Sequence, residues 1–169
     1  YTFTGTADEI VHVNLNSLSP VTTGHDASNL TWRSLNAENG QNFEAFKALT
    51  IKSVDMRGAT ALNGPCTGVK NIAIGLFKGG VTTGQSVNYT FGAGCAVETI
   101  PLDFKVSTIA SDYSLRMTTT GSYMATTLDN SLGPWEEAGI IKIFGSRTNG
   151  RLSGPFFNWV IGDSEDPWC

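Results

Sequence analysis

Charge is scarce in this chain. Asp, Glu, Lys and Arg make 15% of its 169 residues, against about 25% in an average globular protein. The 11 basic residues are scattered singly, with no stripe and no interleaved aromatics, which argues against a nucleic-acid partner. A net charge of −4 also disfavours nonspecific attraction to nucleic acid or anionic membrane. No apolar run approaches the roughly 18 residues of a membrane helix, so membrane insertion is not expected. Histidine is almost missing, with only His12 and His25, and there is no Cys-x-x-Cys. A zinc site therefore lacks ligands. No Gly-x-Ser-x-Gly elbow, phosphate-binding loop or dinucleotide fingerprint is found. His12 falls on the polar side of an alternating segment, and His25-Asp26 sits in a long loop. Neither recruits a recognisable nucleophile. No cofactor and no catalytic residue are expected.

What is abundant is hydroxyl. The chain holds 20 threonines and 14 serines, which replace much of the usual surface charge. Apolar residues still make 40% and aromatics 10%, enough for a core and too many for a disordered tail. The chain opens at Tyr1 with no leader-like segment, and reads as a mature chain or an excised domain.

Alternation at period two dominates. Val11, Val13 and Leu15 alternate with His12, Asn14 and Asn16. Ile72, Ile74 and Leu76 share one side of the run from Val69 to Phe77. Val87, Tyr89 and Phe91 alternate with Ser86, Asn88 and Thr90. Ile100, Leu102, Phe104 and Val106 form the cleanest strand, and Pro101 places its start at an edge or a strand end. Tyr113, Leu115 and Met117 alternate with Ser114, Arg116 and Thr118. Phe156 to Ile161 reads as a strand buried on both faces. Helix signal is confined to Asn42–Leu49, where Phe43, Phe46 and Leu49 recur every three residues and would allow one or two turns. Residues 1–169 thus read as a single all-β domain, an antiparallel β-sandwich or jelly roll of about eight strands.

One register can be argued from sequence. A hairpin over Gly79-Gly80 that sets Cys66 opposite Cys95 gives paired numbers summing to about 161, an arithmetic that also places Ile72 opposite Tyr89 and Ile74 opposite Val87. The apolar sides then coincide. A slip of one residue would turn one strand inside out. The expected disulfide is Cys66–Cys95, which implies an oxidising compartment; Cys169 is left over.

Several groups are candidates for function. Asn29 and Asn88 open the two glycosylation sequons. Trp159 lies in a core-like run. Trp135, after Gly133-Pro134, and Trp32, beside the long loop, are candidate rings for stacking on a sugar or anchoring an interface. The acidic turn Asp163-Ser164-Glu165-Asp166, and Asp129-Asn130, offer oxygen ligands of the kind calcium takes, but without the spacing of a known loop, so no metal is expected. Glu136 and Glu137 are adjacent and would diverge in a strand. Glu98, Asp103 and Asp112 stand alone, which disfavours paired-carboxylate glycosidase chemistry.

In composition and strand style the chain resembles bacterial and archaeal surface-fibre subunits and viral spike domains, although no motif carries that likeness. The expected function is a non-catalytic extracellular structural or adhesive subunit at the cell surface. It would join copies of itself into a filament by strand addition, with Val11, Val13 and Leu15 as the plugs of the donated strand. The alternative is a carbohydrate- or receptor-binding module, lectin-like or spike-like, whose partner is a glycan or a surface receptor.

Overall fold

The computed structural model describes residues 19–24, 31–35, 40–59, 70–92, 96–119, 122–126, 134–146 and 154–164. Their twelve strands are β1 (Val21–Thr23), β2 (Thr31–Leu35), β3 (Gly40–Ala45), β4 (Leu49–Ala59), β5 (Lys70–Lys78) and β6 (Val81–Phe91), then β7 (Val97–Val106), β8 (Ala110–Met117), β9 (Ser122–Thr126), β10 (Trp135–Glu137), β11 (Ile141–Ser146) and β12 (Phe157–Asp163). They form two antiparallel sheets packed together as a β-sandwich. The first sheet runs β1-β12-β4-β9-β2, with β7 also paired to β4; the second runs β10-β11-β3-β8-β5-β6. No helix is present among the described residues.

The alternation seen in sequence is the alternation of burial. In β7, Ile100, Leu102, Phe104 and Val106 are buried while Thr99, Pro101, Asp103 and Lys105 are exposed. In β5, Ile72, Ile74 and Leu76 are buried. The β5–β6 hairpin has the expected register, with Ile72 opposite Tyr89 and Ile74 opposite Val87. Its turn is Gly79-Gly80, with φ of 56° and 84°. Positive φ at both central positions matches the twist of the flanking strands, and glycine adopts it without a Cβ clash. Pro101 lies on β7, which among the described residues pairs only with β4, so the missing N–H costs no second ladder.

The one or two turns that the spacing in Asn42–Leu49 would allow are not formed. Gly40–Ala45 is strand, with Phe43 and Ala45 buried and Asn42 and Glu44 half-buried. Period two therefore overrode the three-residue spacing, because β3 lies between β8 and β11 and both ladders supply its backbone bonds. Strand β8 departs from a simple in-and-out pattern too. Ser114 and Arg116 are buried along with Tyr113, Leu115 and Met117. The two cross-strand neighbours of Arg116 are Gly40 and Gly75. The guanidinium lies 4.3 Å from the Phe77 ring centre, and its Nε donates to Ser114 Oγ at 2.7 Å.

Candidate functional site

Two long strands end the sheets on one side of the sandwich. Among the described residues, β6 pairs only with β5, and β7 only with β4. An edge strand carries a row of backbone donors and acceptors without ladder partners, which invites another strand. The two edges are treated differently.

β7 is closed by several devices. The Gln85 carboxamide reaches across from β6. Its Nε2 donates to the Lys105 carbonyl at 2.8 Å, and Lys105 N–H donates to its Oε1 at 2.6 Å. One side chain thus imitates the paired bonds of a neighbouring strand. Asp103 adopts φ 50°, beside the register shift between Ile51 and Ser53. Such an irregularity bends an edge away from a flat template. Pro101 has no N–H to offer, and Lys105, Asp103 and Glu98 bring charge. Farther along, Tyr89 Oη donates to Glu98 Oε2 at 2.9 Å, and Gly92 N–H donates to Glu98 Oε1 at 3.1 Å. Partial burial, then the Glu98 bond and its negative charge, hold the Tyr89 phenol above its usual range.

From Ser86 to Phe91, β6 carries no charge, no proline and no register shift. Its sequence, Val81 to Phe91, contains no charged residue and no proline. The first part is irregular. Gly84 has φ 83°, Gly84 N–H donates to Thr82 Oγ1 at 3.1 Å, and the Thr83 hydroxyl donates to the Leu76 carbonyl at 2.9 Å. From Ser86 to Phe91 the ladder to β5 is regular. There Ser86, Asn88 and Thr90 are exposed, while Val87 and Tyr89 are half-buried and pack against the core.

Gln85 was not singled out in sequence, though a signal existed. It is an amide on the side of the strand otherwise occupied by Val87, Tyr89 and Phe91. Gln85→Ala should cost about 1 kcal/mol, the net worth of ordinary hydrogen bonds, and should speed exchange of the Lys105 amide hydrogen. Gln85→Glu should not restore the loss, because a carboxylate accepts from the Lys105 N–H but cannot donate to its carbonyl. Urea unfolding with amide exchange checks both; unchanged exchange at Lys105 would refute the clamp.

The other sequence candidates are dispersed. Val11, Val13 and Leu15, Asn29, both histidines and Asp129-Asn130 lie outside the described residues. So do all three cysteines, and no disulfide is found among the described residues. Asn88 is exposed on β6 opposite Ala73. Within its sequon, the Thr90 hydroxyl donates to Asn71 Oδ1 at 2.7 Å. Trp32 lies on β2 opposite Ala125. Trp135 lies on strand β10 rather than in a loop, half-buried and packed against the core. Trp159 is fully buried, as its run implied.

The described carboxylates do not converge. Glu136 pairs with Lys142 at 3.2 Å, Asp103 with Lys52 at 3.6 Å and Asp163 with Lys47 at 3.3 Å. Asp55 accepts from the Thr99 hydroxyl and from Asn158 Nδ2. Glu165 and Asp166, the rest of the acidic turn, lie outside the described residues. Among the described residues, no three His, Cys, Asp or Glu side chains gather as a metal-binding group. Compared with known proteins, the chain matches no family model, no curated protein and no solved structure.

Proposed function

We propose that this domain works by assembly rather than catalysis, as an extracellular structural or adhesive subunit whose copies join by strand addition. The observation that carries the reading is the contrast between the edges: β7 is shut by the Gln85 clamp, charge and irregular backbone, whereas β6 is uncharged and regular from Ser86 to Phe91. Proteins that remain single normally blunt every long edge. In strand addition the main chain supplies affinity and alternate side chains supply fit. The amphipathic segment Val11–Asn16 has the alternation a donated strand needs. Scarce charge and abundant Thr and Ser suit a hydrated surface outside the cell, as do two sequons and the expected Cys66–Cys95 bridge.

The intact chain should form polymers whose length rises with concentration, visible by negative-stain microscopy. A chain beginning at Asn16 should stay monomeric or fold poorly. Equal, monomeric behaviour of both chains would reject strand addition.

A further inference from the structure

A strand added to a sheet places its residues on the same faces as those they pair with, so both faces of donor and acceptor must agree. On β6 the stretch that can accept a flat partner is Ser86–Phe91, where the ladder to β5 has no register shift. Six residues span about 20 Å of edge. The alternating part of the N-terminal segment Thr2–Asn16, from Val11 to Asn16, has the same length; it follows Asp8 and Glu9, and neither it nor Ser86–Phe91 contains Asp, Glu, Lys or Arg. No charge would have to be desolvated in bringing the two together. Val87 and Tyr89 are only half-buried, so apolar surface remains uncovered beside the open edge. Ser86, Asn88 and Thr90 on the outer face are small and polar.

We propose that Ser86–Phe91 of β6 is the acceptor edge for Val11–Asn16 of a second copy of this chain. The inference rests on the strand-addition reading and adds the site where the strand docks. Val11, Val13 and Leu15 extend the inner face beside Val87, Tyr89 and Phe91. His12, Asn14 and Asn16 lie beside Ser86, Asn88 and Thr90, where amides and hydroxyls can bond across the strands. Donor and acceptor are different segments of the chain, so the contact is head-to-tail, as an open filament requires. A glycan on Asn88 would crowd this edge, so use of that sequon and strand docking exclude one another.

The test uses the full chain produced without N-glycosylation. Sedimentation velocity is measured for the wild type, S86K/N88K, V13K and the control S111K, the last on an exposed position of β8. A lysine pair on an edge opposes pairing, and about 1.4 kcal/mol per contact is a tenfold loss of association. S86K/N88K and V13K are expected to lower polymer formation by about tenfold or more, with S111K unchanged. Amide exchange of the wild type should show residues 86–91 gaining protection on assembly. Polymers that survive S86K/N88K, or assembly without added protection at 86–91, would put the acceptor elsewhere and leave strand addition standing. Polymers lost in S86K/N88K but kept in V13K would overturn the named donor and indicate pairing of β6 with another segment. A wild type that stays monomeric at every concentration overturns both this inference and the reading beneath it.

Discussion

Trp159→Ala should remove about 3–5 kcal/mol of stability, the usual cost of truncating a large buried aromatic. Trp159 has no exposed surface. Its ring meets Phe43 edge-on at 5.5 Å and Phe156 at 6.2 Å. Phe43 in turn stacks on Tyr113 at 5.3 Å. Trp159 sits on β12 in one sheet, while Phe43 and Tyr113 sit on β3 and β8 in the other. Removing the indole therefore opens a void where the sheets meet, and the residues around it belong to ladders that limit collapse into it. Domains of this size carry about 5–15 kcal/mol in total, so the variant should unfold at much lower urea and sit close to the threshold of folding. Trp159→Phe should cost clearly less, because it keeps an aromatic contact with Phe43. A loss below about 1 kcal/mol for the alanine variant would show that the site is not close-packed.

Breaking the Cys66–Cys95 bridge should have an effect of similar size. Paired residues sum to 161 from Lys70 opposite Phe91 through Gly75 opposite Ser86. That is the register expected when Cys66 is set opposite Cys95, which also makes the apolar sides coincide. The cysteines, outside the described residues, lie in sequence four positions beyond the Lys70–Phe91 end, one on each arm, and share its sum. A nonreducing peptide map should link them. Reduction, or C66A/C95A, should cost about 3–4 kcal/mol for a loop of about 30 residues in the chain-entropy model. A map that joins Cys169 to either partner would overturn the pairing. A chain with three free thiols would remove one support for an oxidising compartment.

Legibility differed from element to element. β7 could be read residue by residue, since every second side chain is apolar and every such side chain is buried. The β5–β6 ladder was legible because setting Cys66 opposite Cys95 also matches the apolar sides of the two strands; the turn itself pairs Phe77 with Thr82 and Lys78 with Val81, and a register shift separates those pairs from the ladder. β3 was not legible as a strand, because Phe43, Phe46 and Leu49 allow a helical spacing while its partners lie far away in sequence. The short strands β1, β2, β9 and β10 carry too few residues to show a period. Trp135 looked like a loop residue after Gly133-Pro134, yet β10 pairs with β11 and lays its ring against the core.

The candidate site was half visible. Asn88 and the alternation of Val87, Tyr89 and Phe91 were noted as strand features, but not that their strand ends a sheet. The Gln85–Lys105 clamp joins residues twenty positions apart in opposite sheets, and no local pattern announces it.

The sequence by itself determined that this is an all-β chain, which segments alternate, and how the one tight hairpin is aligned. These properties are local: side chains alternate at every residue of a strand, and matching apolar sides across one hairpin involves two neighbouring segments alone. Only the tertiary structure decided that β3 lies between β8 and β11, that Arg116 is buried over Phe77, and that the Gln85 side chain bonds the edge of β7 while, among the described residues, β6 pairs with β5 alone. Those outcomes depend on which distant strands pair. Pairing is chosen by the combined burial of both sheets, a sum over the whole chain that no short window contains.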